Sequence, residues 1–131
     1  MLLEDDHLPF EIDEVYHGLA KAKGILRYSD DTLVFEFQVS DNLLEVFKSK
    51  VKTIRVPMTE IKDIVFKKSW FRARLIFHSL HLGVFEKVPG HETTQLSLKI
   101  HRRERAVAEA FYRELRKALE DVRLRKLAGE M

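Results

Sequence analysis

Three features of the 131-residue chain predict a mainly β domain stoppered by one C-terminal helix. Apolar and polar residues alternate with period two in segment after segment between residues 16 and 101, the mark of half-buried strands. Turn-forming residues separate those segments. After residue 101 the apolar spacing changes to three and four, the mark of an amphipathic helix.

The strands follow in order. "KAKGILRY" and "LVFEFQV" are partners, joined by the turn residues of "SDD". The second puts Leu33, Phe35, Phe37 and Val39 on one face and Val34, Glu36 and Gln38 on the other. "VKTIRVP" is a third strand and ends at Pro57, which has no N–H for a central ladder. "EIKDIVFKK" and "RARLIFHS" are a fourth and fifth, "HLGVFEKV" a sixth closed by Pro89-Gly90, and "TQLSLKIH" a seventh with Leu96, Leu98 and Ile100 inward. Over 102–126, Val107, Phe111, Leu115, Leu119 and Val122 recur at helical spacing, alanines at 106, 108, 110 and 118 favour the helix, and Gly129 ends it. That apolar face is expected to dock on the β-structure.

The segments "GILRYSDDTLVFEF" and "IRVPMTEIKDIVFKK", with the final amphipathic helix, resemble a pleckstrin-homology-like domain of the GRAM and bacterial PH-like kind. The resemblance implies an open barrel of two antiparallel sheets, about seven strands, capped by the helix. It divides the chain into an acidic N-terminal extension (1–14), a PH-like domain (15–127) and a C-terminal tail (128–131). The helix lacks the tryptophan that many such domains carry. Lipid-binding members place a basic motif around the loop joining their first two strands; here that loop reads "YSDDT", with Arg27 alone before it, so headgroup recognition there is not expected.

Apolar residues at 45% and charged residues at 34% describe a globular chain with few Gly or Pro. The absence of cysteine excludes disulfides, thiolate metal sites and cysteine nucleophiles, and fits a reducing cytoplasm. "MLLEDDHLPF" lacks the basic-then-apolar order of a signal peptide. No apolar run approaches the roughly 18 residues of a membrane span. Charge is segregated: residues 1–20 hold six acids and no Lys or Arg, whereas residues 48–74 hold nine bases against Glu60 and Asp63. Such a pattern suits an anionic partner, or an N-terminus lying over the basic region of its own chain.

"FKKSWFRARLIF" contains the only tryptophan. If the fourth and fifth strands form a hairpin with a loop from Lys68 to Phe71, Lys67 opposes Arg72, Phe66 opposes Ala73 and Ile64 opposes Leu75. Both apolar pairs then share a face. Ser-Trp suits a primed two-residue turn poorly, because neither residue favours positive φ. Lys67, Lys68, Trp70, Phe71, Arg72 and Arg74 are the candidate binding residues. Three roles fit them: Trp70 folds back onto the barrel, the group binds an anion, or Trp70 and Phe71 meet another copy of the chain.

No catalytic residue, metal site or cofactor is expected. The histidines at 7, 17, 78, 81, 91 and 101 are scattered, the five glycines form no phosphate-cradling loop, and no G-x-S-x-G elbow is present. Direct nucleic-acid binding is not expected either, since the basic residues have few interleaved aromatics. A ligand inside the barrel is not expected, because Phe35, Phe37, Phe66, Leu75, Phe77 and Leu98 fill it. The leading expectation is a non-enzymatic, cytoplasmic binding module contacting a protein partner or itself through a sheet edge, the Trp70 loop and apolar residues near Leu82, Val84 and Phe85. The alternative is peripheral binding to an anionic membrane through the Trp70 hairpin.

Overall fold

The computed structural model describes residues 7–15, 18–41 and 50–129. It holds seven antiparallel strands: β1 (Leu8–Val15), β2 (Ala20–Ser29), β3 (Thr32–Asp41), β4 (Lys52–Pro57), β5 (Ile61–Lys68), β6 (Ala73–Ser79) and β7 (Gln95–Ile100). One helix, α1 (Arg105–Leu127), follows a single 3₁₀ turn at Arg102–Glu104. The strands make one sheet in the order β4-β3-β2-β1-β7-β6-β5. The fold is therefore mainly β with a C-terminal helix, and the sheet is not closed into a barrel. The two expected sheets are continuous, but their join is narrow: β1 meets β7 where Glu11 lies opposite Lys99. The open edges, β4 and β5, are consecutive in the chain, linked by the 3₁₀ turn Met58–Glu60.

Two of the expected elements differ. Residues 8–14, expected as part of an acidic extension, belong to β1, with Leu8, Phe10, Ile12 and Val15 buried. The remaining acids of that expectation, Glu4, Asp5 and Asp6, lie outside the described residues, as does Lys48. Residues 81–88, expected as a sixth strand, form successive tight turns: Glu86 N–H donates to Gly83 O and Val88 N–H to Phe85 O. Phe85 and Val88, three residues apart, both point into the core. Phe85, expected as part of an exposed apolar surface, is fully buried, whereas Leu82 is exposed.

The core centres on Phe35. Phe10, Phe77 and Phe85 meet its ring edge-to-face at centroid distances of 6.3, 5.7 and 6.4 Å, a favoured aromatic geometry. The backbones of β2 and β3 approach closely at Gly24, opposite Phe37. A Cβ there would clash with the Glu36 carbonyl oxygen and lie 2.8 Å from Phe37 Cα, so only glycine lets the backbones approach this closely.

Helix α1 runs antiparallel along the outer side of β5. From its N-terminus, Arg105 Nη1 donates to Ser69 O (3.1 Å), Glu109 accepts from Lys68 (3.2 Å), and Tyr112 stacks on Phe66 (5.7 Å). Further along, Arg116 reaches Asp63 (2.5 Å) and Arg123 donates to Lys62 O. At the far end, Arg125 bonds Asp31 at 2.8 Å. Asp31 sits with Asp30 in the β2–β3 turn, both at positive φ (57° and 51°), the conformation that a tight hairpin requires. Tyr28 O–H donates to Asp31, and burial together with that carboxylate pushes the phenol pKa well above its ordinary value.

The buried stripe of α1 is Ala108, Phe111, Leu115, Leu119 and Val122. Val107, expected inside, is 49% exposed. Replacing it by Ala108 in the stripe keeps the three- and four-residue spacing and lets the smaller side chain meet the sheet. Because Phe111 is 3% exposed, Phe111→Ala should destabilise the fold by about 3–5 kcal/mol. Chemical denaturation measures this, and a loss below about 1 kcal/mol would show that the helix face is not core.

Candidate binding surface at the hairpin tip

Two-strand pairing brings β5 and β6 to a tight turn. Lys68 opposes Ala73, Lys67 opposes Arg74 and Phe66 opposes Leu75. This register differs by two residues from the expected one, so every side chain keeps its predicted face while the four-residue turn moves one position along the chain, from 68–71 to 69–72. Ser69 supplies the reason. Its N–H donates to Arg72 O (2.7 Å), and its Oγ accepts from the Arg72 N–H (3.3 Å). The side chain thus supports a compact Ser69–Arg72 turn in which no residue has positive φ.

Trp70 and Phe71 stand at the end of this turn, 77% and 66% exposed. Their rings touch only edge-to-face, at 6.4 Å. Trp70 does not fold back onto the sheet. The root of the turn, by contrast, is held: Lys68 pairs with Glu109 and Arg105 bonds Ser69 O. Two adjacent aromatics projecting from a fastened turn are unusual on a surface, where large apolar groups together mark contact sites.

The six candidate residues divide into two groups. Lys67 and Arg72 are exposed, and their side chains make no hydrogen bond or ion pair among the described residues. Arg74 is occupied, bonding Asp13 at 3.3 Å and Ser97 at 3.4 Å. Lys68 is occupied by Glu109. The fold adds cations that lie far away in sequence. The turn Arg102–Glu104 connects Ile100, which pairs with Ala73, to Arg105, which reaches Ser69. It carries exposed Arg102 and Arg103 to the same end of the molecule.

A charged rung crosses the outer sheet face just behind the tip. Lys67 lies opposite Arg74, Arg74 opposite Lys99, Lys99 opposite Glu11, and Glu11 opposite Lys23. Glu11 is the one carboxylate among four cations. It is 9% exposed, lies 2.9 Å from His101 Nε2 and 3.8 Å from Lys23 Nζ. Burial pushes its pKa up, but the His101 hydrogen bond and the charges of His101, Lys23 and Lys21 outweigh that and hold it below the usual carboxylate range.

Two other histidines make local contacts: His81 Nδ1 lies 3.0 Å from Glu60, and His91 Nδ1 lies 2.8 Å from Val88 O. Among the described residues no three His, Asp or Glu side chains gather as metal ligands. No helix of the described residues is long and apolar enough to cross a membrane. Comparison with protein-family models, curated proteins and solved structures returns no match.

A carboxylate with a depressed folded pKa stabilises the fold above its unfolded pKa, and that contribution vanishes as pH falls through the folded value. Wild-type thermal stability should therefore exceed that of Glu11→Gln at neutral pH, and the gap should close below about pH 4.5, the ordinary value for this group. A gap that does not change with pH would contradict the ion-pair account of Glu11.

Proposed function

We propose that the chain is a non-enzymatic, PH-like binding module that attaches peripherally to anionic membrane surfaces on the cytoplasmic side, through the Trp70–Phe71 tip. The observation that carries this reading is the pair of free aromatic side chains at the end of a hairpin whose root is tied to α1. Tryptophan favours the water–lipid boundary, where its ring is buried and its N–H stays wet. Lys67, Arg72 and Arg102 surround the tip as exposed cations. Near an anionic leaflet each contributes about 1 kcal/mol, together raising affinity about 100-fold. The seven antiparallel strands and the C-terminal helix support the PH-like assignment.

Self-association has less support at this surface. A symmetric tip-to-tip dimer would bring Lys67 and Arg72 against their own copies, and like charges in contact oppose pairing. The sheet edges offer little more. The outer side of β5 is covered by α1. On β4, the bond from Met58 N–H to Asp31 O fixes which backbone groups face β3. By alternation, Thr53, Arg55 and Pro57 direct theirs outward. A proline and exposed cations on an edge discourage strand addition.

Vesicle sedimentation tests the proposal. Binding should appear with phosphatidylglycerol vesicles, weaken as salt rises, and be absent with phosphatidylcholine alone. Trp70→Ala with Phe71→Ala should reduce it at least tenfold without lowering the unfolding temperature, since both side chains are exposed. The lone tryptophan supplies a second readout: its emission should shift to shorter wavelength on vesicle addition and lose its quenching by iodide. Binding indifferent to acidic lipid and salt would end the membrane reading, and a concentration-dependent dimer abolished by the same double variant would replace it with self-association.

A further inference from the structure

Beside the tip, the outer face of the sheet carries a groove of about 340 Å³. Its floor includes Ile76, only 7% exposed although it alternates outward between Leu75 and Phe77. Gly90 and Glu92, from the segment before β7, also line it.

The polar lining is ordered along the groove. At the end nearer the tip lie Lys67 and Arg74, directly opposite each other. Four residues further along β6, His78 pairs with Gln95. The backbone of Gln95 exchanges hydrogen bonds with Glu92 (2.8 and 2.6 Å), which places Glu92 at the far end. Asp13 and Ser97 lie between, both reached by Arg74. Those two bonds, at 3.3 and 3.4 Å, exceed the usual hydrogen-bond length and leave Arg74 capacity for a better acceptor. The Lys67 ammonium and the Glu92 carboxylate have no side-chain partner among the described residues. A groove with free cation at one end, free carboxylate at the other and an apolar floor is matched to a ligand carrying both charges.

Resting on the membrane reading above for its placement, we infer that this groove binds a zwitterion, its phosphate or carboxylate against Lys67 and Arg74 and its primary ammonium against Glu92 and Asp13. Lys67 lies three residues before Trp70, so at most about 10 Å of chain separates them. With Trp70 in the interface, the groove stands at headgroup level, cations innermost. A serine or ethanolamine phospholipid presents its charges in that order, phosphate near the glycerol and ammonium outward. A free phosphorylated amine shares the chemistry.

The experiment compares vesicles of phosphatidylcholine doped with equal fractions of phosphatidylserine or phosphatidylglycerol, which carry the same net charge but differ in the ammonium. The full chain should bind the serine vesicles about tenfold more tightly, the worth of one good charge-assisted contact. Glu92→Gln, on an exposed residue, should bring the ratio of serine-vesicle to phosphatidylglycerol-vesicle affinity to about one, whatever the lost charge does to both. Free O-phosphoserine, followed by amide chemical shifts, should perturb Lys67, Arg74 and Glu92 together. Shifts from phosphoserine without vesicle preference would assign the groove to a free ligand. If vesicles do not bind but phosphoserine still shifts the groove, the groove stands and the membrane reading falls. Equal binding to both vesicles with no shift at the groove overturns this inference and leaves the tip reading standing.

Discussion

Strand β5 ends the sheet without a strand beyond it, and α1 lies along its outer side from Ser69 to Lys62. An uncovered edge would expose backbone groups to pairing with other chains. Here Arg123 caps the Lys62 carbonyl, and the Ile64 N–H finds the Asp63 carboxylate. The same helix buries Ala108, Phe111, Leu115, Leu119 and Val122 in the core of the unclosed sheet. One element thus shields the edge and completes the core, and the rest of the fold depends on its docking.

The tip inherits its order from that docking. A two-stranded hairpin end is marginal by itself. The Arg105–Ser69 and Lys68–Glu109 contacts tie its root to the helix, so that the exposed Trp70 and Phe71 project from a fastened base. Exposed ion pairs contribute little singly, generally under about 1 kcal/mol. Four polar contacts along β5 and its end, a fifth to the β2–β3 turn and a buried apolar stripe instead fix the helix in register with β5.

Much of this was legible in the sequence, and the misses have physical causes. Alternation in "LVFEFQV" identified β3 and its inward face because each polar residue faced outward. The same alternation is present in "LPFEIDEV", yet three acids and Pro9 disguised it as a tail. Pro9 is tolerated because the β1–β7 pairing lies further along, at Glu11. "HLGVFEKV" has strand composition, but its inward residues are three apart and Gly83 turns at positive φ, so turns form instead. At the site, the face of each hairpin residue followed from parity alone. The exposure of Trp70 and the arrival of Arg102, Arg103 and Arg105 depend on helix docking, a long-range contact that no local pattern encodes.

Hydrogen exchange across α1 and β5 tests the central claim most directly. If the helix is integral to the sheet, the amides around Phe111, Leu115 and Leu119 should exchange as slowly as those of β6, through unfolding of the whole domain. Fast exchange along α1 while β6 stays protected would mean that the helix opens independently, and the account of the covered edge and the ordered tip would be contradicted.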